Sequence, residues 1–224
     1  MRKIHIFAEG QTEEQFIKKV LWPYVLCKSG NDLNPVIAKT KRMGSDPSHK
    51  GGTISYTKFR DQVNKLLGDT SADEVSMMFD YYALPQDFPG CVSPQGNSCY
   101  ARVEYIETEI AKDINNKKFR PFLMLHEYEA ILFTKPDCIV DRFHESGSKG
   151  YTAALEELIG VRDAYHSPEE INKNPKTHPS ARLRSLFRMY NKVLHGFQIA
   201  DDIGIAMINR ACPHFKTWVR SLCA

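Results

Sequence analysis

Glu9, Asp80 and Glu127 each close a short apolar run, and that placing is the first chemical signal in the chain. A carboxylate at the carboxyl end of a parallel strand faces the crevice where open α/β sheets bind ligands. Ile4, Ile6, Phe7 and Ala8 make the first run, the pattern of a strand covered on both faces. Gly10 then allows a tight turn, and Thr12 with Gln15 reads as a capping box that starts a helix. Phe16, Ile17, Val20 and Leu21 recur at helical spacing on its buried face, which leaves Glu13, Glu14, Lys18 and Lys19 for solvent or a site. Glu13 falls in the first turn, beside Glu9. Residues 75–79 form another buried strand ending on Asp80, and residues 122–125 one that runs into His126, Glu127, Tyr128 and Glu129.

Carboxylates gathered at one sheet edge repel strongly in a low dielectric unless a cation holds them together. Oxygen-only donors suit Mg²⁺ or Mn²⁺, ions that polarise phosphate and activate water. Glu9, Asp80 and a carboxylate from Glu127 or Glu129 are therefore the candidate metal ligands, with Glu9, Glu13 and Asp80 as the catalytic set. Strand alternation would put Glu127 and Glu129 on one face, whereas a helix would separate them. Glu127 lies nearer the strand end and is favoured on that ground.

The elements that must position these acids alternate. A second strand is expected at 35–38, a helix at 56–67 with Phe59, Val63, Leu66 and Leu67 on one face and a stop at Gly68, and another helix carrying Val103, Ile106, Ile110 and Ile114. Strand and helix in alternation imply right-handed crossovers and a mainly parallel sheet. From residue 135 helical patterns dominate: 152–158, 167–171 opening on Pro168, 180–194 ending at Gly196, 199–210 and 213–222. The polar, proline-marked loop 172–179 reads as the flexible joint. The expected organisation is an α/β domain over 1–134 and a helical extension over 135–224 packed on it.

Composition excludes several classes. With 42% hydrophobic and 25% charged residues in 224, the chain has the makeup of one globular core plus a smaller appendage. A net charge of +3 does not specify a partner. No run approaches the roughly 18 apolar residues of a membrane span, and the amino terminus lacks a signal-peptide pattern, so a cytoplasmic protein without membrane contact is expected. The 6 cysteines show no Cys-x-x-Cys pair, which argues against zinc; Cys91 and Cys99, in one loop, are the pair to check. Basic side chains that could meet nucleic acid are Lys41, Arg42 and Lys50 in the loop before Gly51 and Gly52, and Arg182 and Arg184 on a carboxyl-half helix continued by Arg188 and Lys192. His126, next to the acids, is a further phosphate-contact candidate.

Glu9-Gly10-Gln11-Thr12-Glu13, Phe79-Asp80-Tyr81-Tyr82 and His126-Glu127-Tyr128-Glu129-Ala130 together resemble the Toprim domains of the overcoming-lysogenization-defect nucleases. The chain is more closely similar to a Toprim-like bacterial family catalogued as domain of unknown function 4276. That family's pattern also covers Leu84-Pro85, Phe88-Pro89-Gly90, Pro179-Ser180-Ala181-Arg182-Leu183, Asn191-Lys192-Val193-Leu194-His195-Gly196 and Cys212-Pro213-His214-Phe215, nearly the whole chain. The resemblance implies a small parallel sheet between helices. It makes Glu9 the general acid/base and metal-contacting glutamate, Glu13 the second glutamate of the nuclease branch and Asp80 the first aspartate of an Asp-x-Asp pair. Tyr82 stands where the second aspartate is expected, and a phenol is a poor Mg²⁺ ligand. The implied activity is metal-dependent nucleic-acid cleavage, in a bacterial phage-defence setting, with an ABC- or AAA-type ATPase partner. The alternatives are a non-catalytic interaction module for such an ATPase and a primase-like nucleotidyl transferase.

Overall fold

A computed structural model describes residues 1–39, 54–171 and 177–224. Strands β1 (Lys3–Ala8), β2 (Asp32–Ile37), β3 (Glu74–Asp80), β4 (Phe119–Arg120) and β5 (Leu123–Met124) form one parallel sheet. Its order is β2-β1-β3-β4, with β5 also pairing β3. Pro35, which cannot donate to a ladder, sits in β2 because that strand is an edge. Helices α1 (Gln11–Phe16), α2 (Trp22–Ser29), α3 (Tyr56–Leu67), α4 (Cys99–Ile114), α5 (Pro136–Val140), α6 (Lys149–Asp163), α7 (Pro179–Leu186), α8 (Lys192–Ile203), α9 (Ile205–Ala211) and α10 (Pro213–Leu222) surround it. A π-helical stretch, Ile17–Leu21, joins α1 to α2.

Alternation along the strands divides the interior into two cores. Ile4, Ile6, Ala8 and Met78 face one way and pack with Phe16, Leu21, Ile199, Phe215 and Leu222. Phe7, Val75, Met77 and Phe79 face the other way and pack with Phe59 and Val63 of α3 and Val103, Ile106 and Ile110 of α4. Both sheet faces are thus covered, which is why the central strands read as continuous apolar runs. The carboxyl-terminal helix belongs to the first core. Trp218 stacks on Phe122 at 4.2 Å and donates from Nε1 to Ser76 Oγ at 2.9 Å in the middle of β3. Buried Glu169 accepts the backbone N–H groups of His214 and Phe215 (3.1 and 2.8 Å), capping α10.

Four expectations change. The first helix begins at Gln11, and the partner of the Gly10 N–H is Glu13 rather than a Thr12–Gln15 box. The strand expected at 122–125 shortens to β5, and a further short strand, β4, precedes it across Pro121, which has no N–H to donate to β3. The helix expected over 180–194 is two helices: the chain leaves helical geometry at Phe187, and Asn191 Oδ1 accepts from Val193 and Leu194 to start α8 afresh. The element expected over 199–210 is divided at Gly204, whose φ of +78° separates α8 from α9. Among the described residues no helix is long and apolar enough to cross a membrane. All six cysteines, Cys91 and Cys99 included, are free thiols.

Candidate active site

Glu9 follows the last residue of β1 and Asp80 ends β3, so the parallel pairing of these neighbouring strands brings both to one edge. The Asp80 N–H donates to Glu9 Oε2 at 3.1 Å, and Asp80 Oδ1 accepts the Tyr128 N–H at 2.9 Å. Glu13, buried in the first turn of α1, takes the Gly10 N–H on Oε2 at 2.9 Å. The run after β5 settles into a 3₁₀ helix, Tyr128–Thr134, and this geometry separates the two glutamates that precede and open it.

Glu127 turns toward α7. Its Oε2 accepts from the Ser180 N–H (2.9 Å) and from His178 Nδ1 (3.0 Å), and its Oε1 accepts from Ser180 Oγ at 3.1 Å. Both oxygens of the carboxylate favoured above for metal ligation are thus engaged at the start of α7. Glu129 is 2% exposed and its Oε1 has no hydrogen-bond partner. That oxygen is buried and uncommitted.

Glu9, Glu13, Asp80 and Glu129 influence one another strongly. Burial first, and then Glu9, Glu13, Glu129 and Glu127, push Asp80 well above the usual carboxylate range. Burial and then Glu9 raise Glu13. For Glu9 burial again dominates, the Asp80 N–H and Lys192 oppose it, and Glu129 and Glu127 add to it. Burial, followed by Glu127, pushes Glu129 up to about 7, with Lys192 pulling the other way. Lys192 stands exposed in the first turn of α8. Burial of its stem would lower the ammonium, but Glu129, Glu13, Asp80 and Glu9 together hold it above its ordinary value. Four acids from three separate parts of the chain therefore share one overhanging cation.

The close seating of α8 against this cluster depends on Gly196, where a Cβ would lie 3.0 Å from Tyr128 Cε1. That glycine, expected to stop a helix, lies inside α8 as a point of close approach.

The basic candidates scatter. Lys41, Arg42 and Lys50 lie outside the described residues. Arg182 Nε donates to the Thr177 carbonyl at 2.6 Å, and Arg184 donates to Ser180 Oγ at 3.2 Å, so both brace α7. Lys192, placed with those arginines on one stripe, belongs to the next helix and to the acids. Burial pushes the His126 ring down to about 4; at neutral pH it is uncharged and offers hydrogen bonds, not positive charge, to a phosphate. Tyr82, 44% exposed, stacks on the His178 ring at 5.3 Å and donates its N–H to the His126 carbonyl at 3.1 Å. Beside Asp80 a cleft of about 250 Å³ is lined by Tyr81, Tyr82, Leu84, Gln86, Cys91 and His126.

Sequence reasoning missed His178 and Ser180 as partners of Glu127, and gave Lys192 only as the continuation of a basic stripe. Ser180 and Lys192 lie in the Pro179–Leu183 and Asn191–Gly196 motifs, whereas His178 just precedes the first of them.

Fit to a divalent cation can be judged from the donors. Among the described residues no group of three His, Cys, Asp or Glu side chains is set to hold a metal ion as it stands. The physical reason is visible: Glu9, Glu13 and Asp80 each give an oxygen to a backbone N–H, and Glu127 gives both to α7. The remaining donors are hard carboxylate oxygens, one of them buried and unpartnered, in a cluster too rich in negative charge for its single lysine. Donors of that type are the kind that Mg²⁺ or Mn²⁺ takes.

Sheet topology and site together define a parallel α/β protein with an acidic centre at the carboxyl edge of its strands. The chain belongs to the family described as "Domain of unknown function (DUF4276)", whose model matches residues 8–223. No curated protein matches it. Among solved structures it is similar to the "C-terminal region of the Burkholderia pseudomallei OLD protein", with 16% identity, all of both chains covered and a TM-score of 0.45.

Proposed function

We propose that this protein is a divalent-metal-dependent phosphodiesterase that cleaves nucleic acid. The observation that carries the reading is the convergence of Glu9, Glu13, Asp80 and Glu129 under Lys192, with Glu129 Oε1 buried and unpartnered. Clustered carboxylates whose ionised forms are disfavoured are what a cation site looks like before the cation arrives.

Glu9, Asp80 and Glu129 would hold Mg²⁺ or Mn²⁺, backed by Glu13. The ion supplies polarisation of a phosphate oxygen and a lowered pKa for bound water. Glu9, raised by burial yet fixed by the Asp80 N–H, is suited to take a proton from the attacking water. Lys192 offers its ammonium at the solvent side, where it would draw in a phosphodiester and offset charge developing on it. Tyr128 keeps Asp80 oriented through its N–H. The motifs shared with the nuclease family also suggest an ABC- or AAA-type ATPase as a switching partner, in bacterial defence.

The test is Mn²⁺-dependent cleavage of labelled DNA and RNA, alone and with a co-expressed ATPase. Glu9→Gln should lower the rate about 100-fold or more while leaving the melting temperature and partner binding intact. Should the wild type cleave no nucleic acid in any divalent metal, with or without the partner, the chain is an interaction module and not an enzyme.

A further inference from the structure

The cleft next to Asp80 has a composition of its own. Its walls are the rings of Tyr81, Tyr82 and His126, apolar contact comes from Leu84 and the buried Cys91, and exposed Gln86 contributes an amide. None of these six side chains is an acid, a lysine or an arginine, so the cleft is not built for phosphate. Its 250 Å³ falls below the roughly 300–1,000 Å³ that drug-sized ligands use, a size for one flat ring system.

The platform is held ready. The Tyr82 backbone is held by its N–H bond to the His126 carbonyl, its ring stacks on that of His178, and the residue still keeps 44% exposure. Asp80 directly precedes Tyr81, so the acidic end of β3 runs straight into the segment that lines the cleft.

We propose that this cleft is a nucleobase subsite, and that the substrate is single-stranded or locally unpaired nucleic acid whose base stacks on Tyr82 while its phosphate meets the acidic centre. In a duplex both faces of a base are covered by its neighbours, so only an unpaired or extruded base can enter. Stacking on a tyrosine is tolerant of base identity, because every base has a π-face. The Gln86 amide, donor and acceptor at once, meets the polar edge of a base without demanding a particular one.

This inference rests on the phosphodiesterase reading, and its test is kept separate by working in EDTA, where nothing is cleaved. Short single strands of DNA and RNA carrying 2-aminopurine, and the matching duplexes, report stacking by fluorescence quenching and affinity by anisotropy. Single strands should bind with quenching, and duplexes without it. Tyr82→Leu should weaken single-strand binding about tenfold and abolish quenching, whereas Tyr82→Phe should retain both. Since Tyr82→Leu also removes the His178 contact, Leu84→Trp provides a second route: it fills the cleft from another wall and should give the same loss. Equal affinity in wild type, Tyr82→Leu and Leu84→Trp, or preference for duplex without quenching, would overturn the subsite. Cleavage could then persist, and conversely loss of all cleavage would leave the stacking result standing.

Discussion

Glu129→Gln should make the protein progressively more stable, relative to wild type, as pH rises. Glu129 is 2% exposed, one of its oxygens has no partner, and burial ahead of Glu127 moves its carboxyl from 4.5 to about 7. The folded state therefore binds a proton over a range where the unfolded chain has released it, and stability falls with rising pH there. The contribution is complete below about 4.5 and gone above about 7. Such a displacement corresponds to about 3 kcal/mol, or on the order of 10 °C in melting temperature for a chain of this size. Glutamine has the same shape and no charge to lose. Its amide brings a buried NH₂ that costs about 1–3 kcal/mol, but at every pH alike.

The readout is therefore a difference of slopes. Urea unfolding in EDTA at a series of pH values from 4.5 to 8 should show the variant gaining about 3 kcal/mol on wild type across that range. Mn²⁺ should then restore the wild type at pH 8 and do little for the variant, since a bound cation stabilises the fold by about 2.7 kcal/mol at 100 times its dissociation constant. Parallel stability curves for the two proteins would refute the view that Glu129 is held protonated by its surroundings, and with it the crowded acidic cluster on which the proposed metal binding depends.

Gly196→Ala should be destabilising by about 1 kcal/mol or more by chemical denaturation, although alanine normally favours a helix interior by about that much, because its Cβ would press within 3.0 Å of the fully buried Tyr128 ring. Glu169→Ala should cost about 2–3 kcal/mol by uncapping α10 and stranding the His214 and Phe215 N–H groups, with a matching drop in melting temperature and faster hydrogen exchange in that helix. Trp218→Phe keeps the ring against Phe122 but loses the donor to Ser76, and should cost about 1–2 kcal/mol.

The strands that order the site were legible because their signals are local. Residues 4–8 and 75–79 are apolar on both faces, and 56–67 and 213–222 have clear helical stripes ended by Gly68 and opened by Pro213. What escaped periodicity depended on single backbone events. Pro121 separates two short strands, Asn191 restarts a helix with its own side chain, and Gly204 turns the chain at positive φ. Each outweighs an apolar pattern that runs across it, since a missing donor or a new cap acts on one residue while a stripe is averaged over many.

The acids were legible for a topological reason: in a parallel sheet, strand ends share an edge whatever else the chain does. The different surroundings of Glu127 and Glu129 were not, because Glu127 is bound by donors 51 and 53 residues further along, His178 and Ser180, which no local pattern places. Their capture of Glu127 has a consequence for the whole site. The histidine that binds this carboxylate is the one whose ring backs Tyr82. One buried glutamate thereby ties the start of α7 to the aromatic cleft, while its neighbour two residues on keeps a vacant oxygen at the acids. The two glutamates thus part ways at one strand end, the first bound to the start of α7 and the second left beside the other acids.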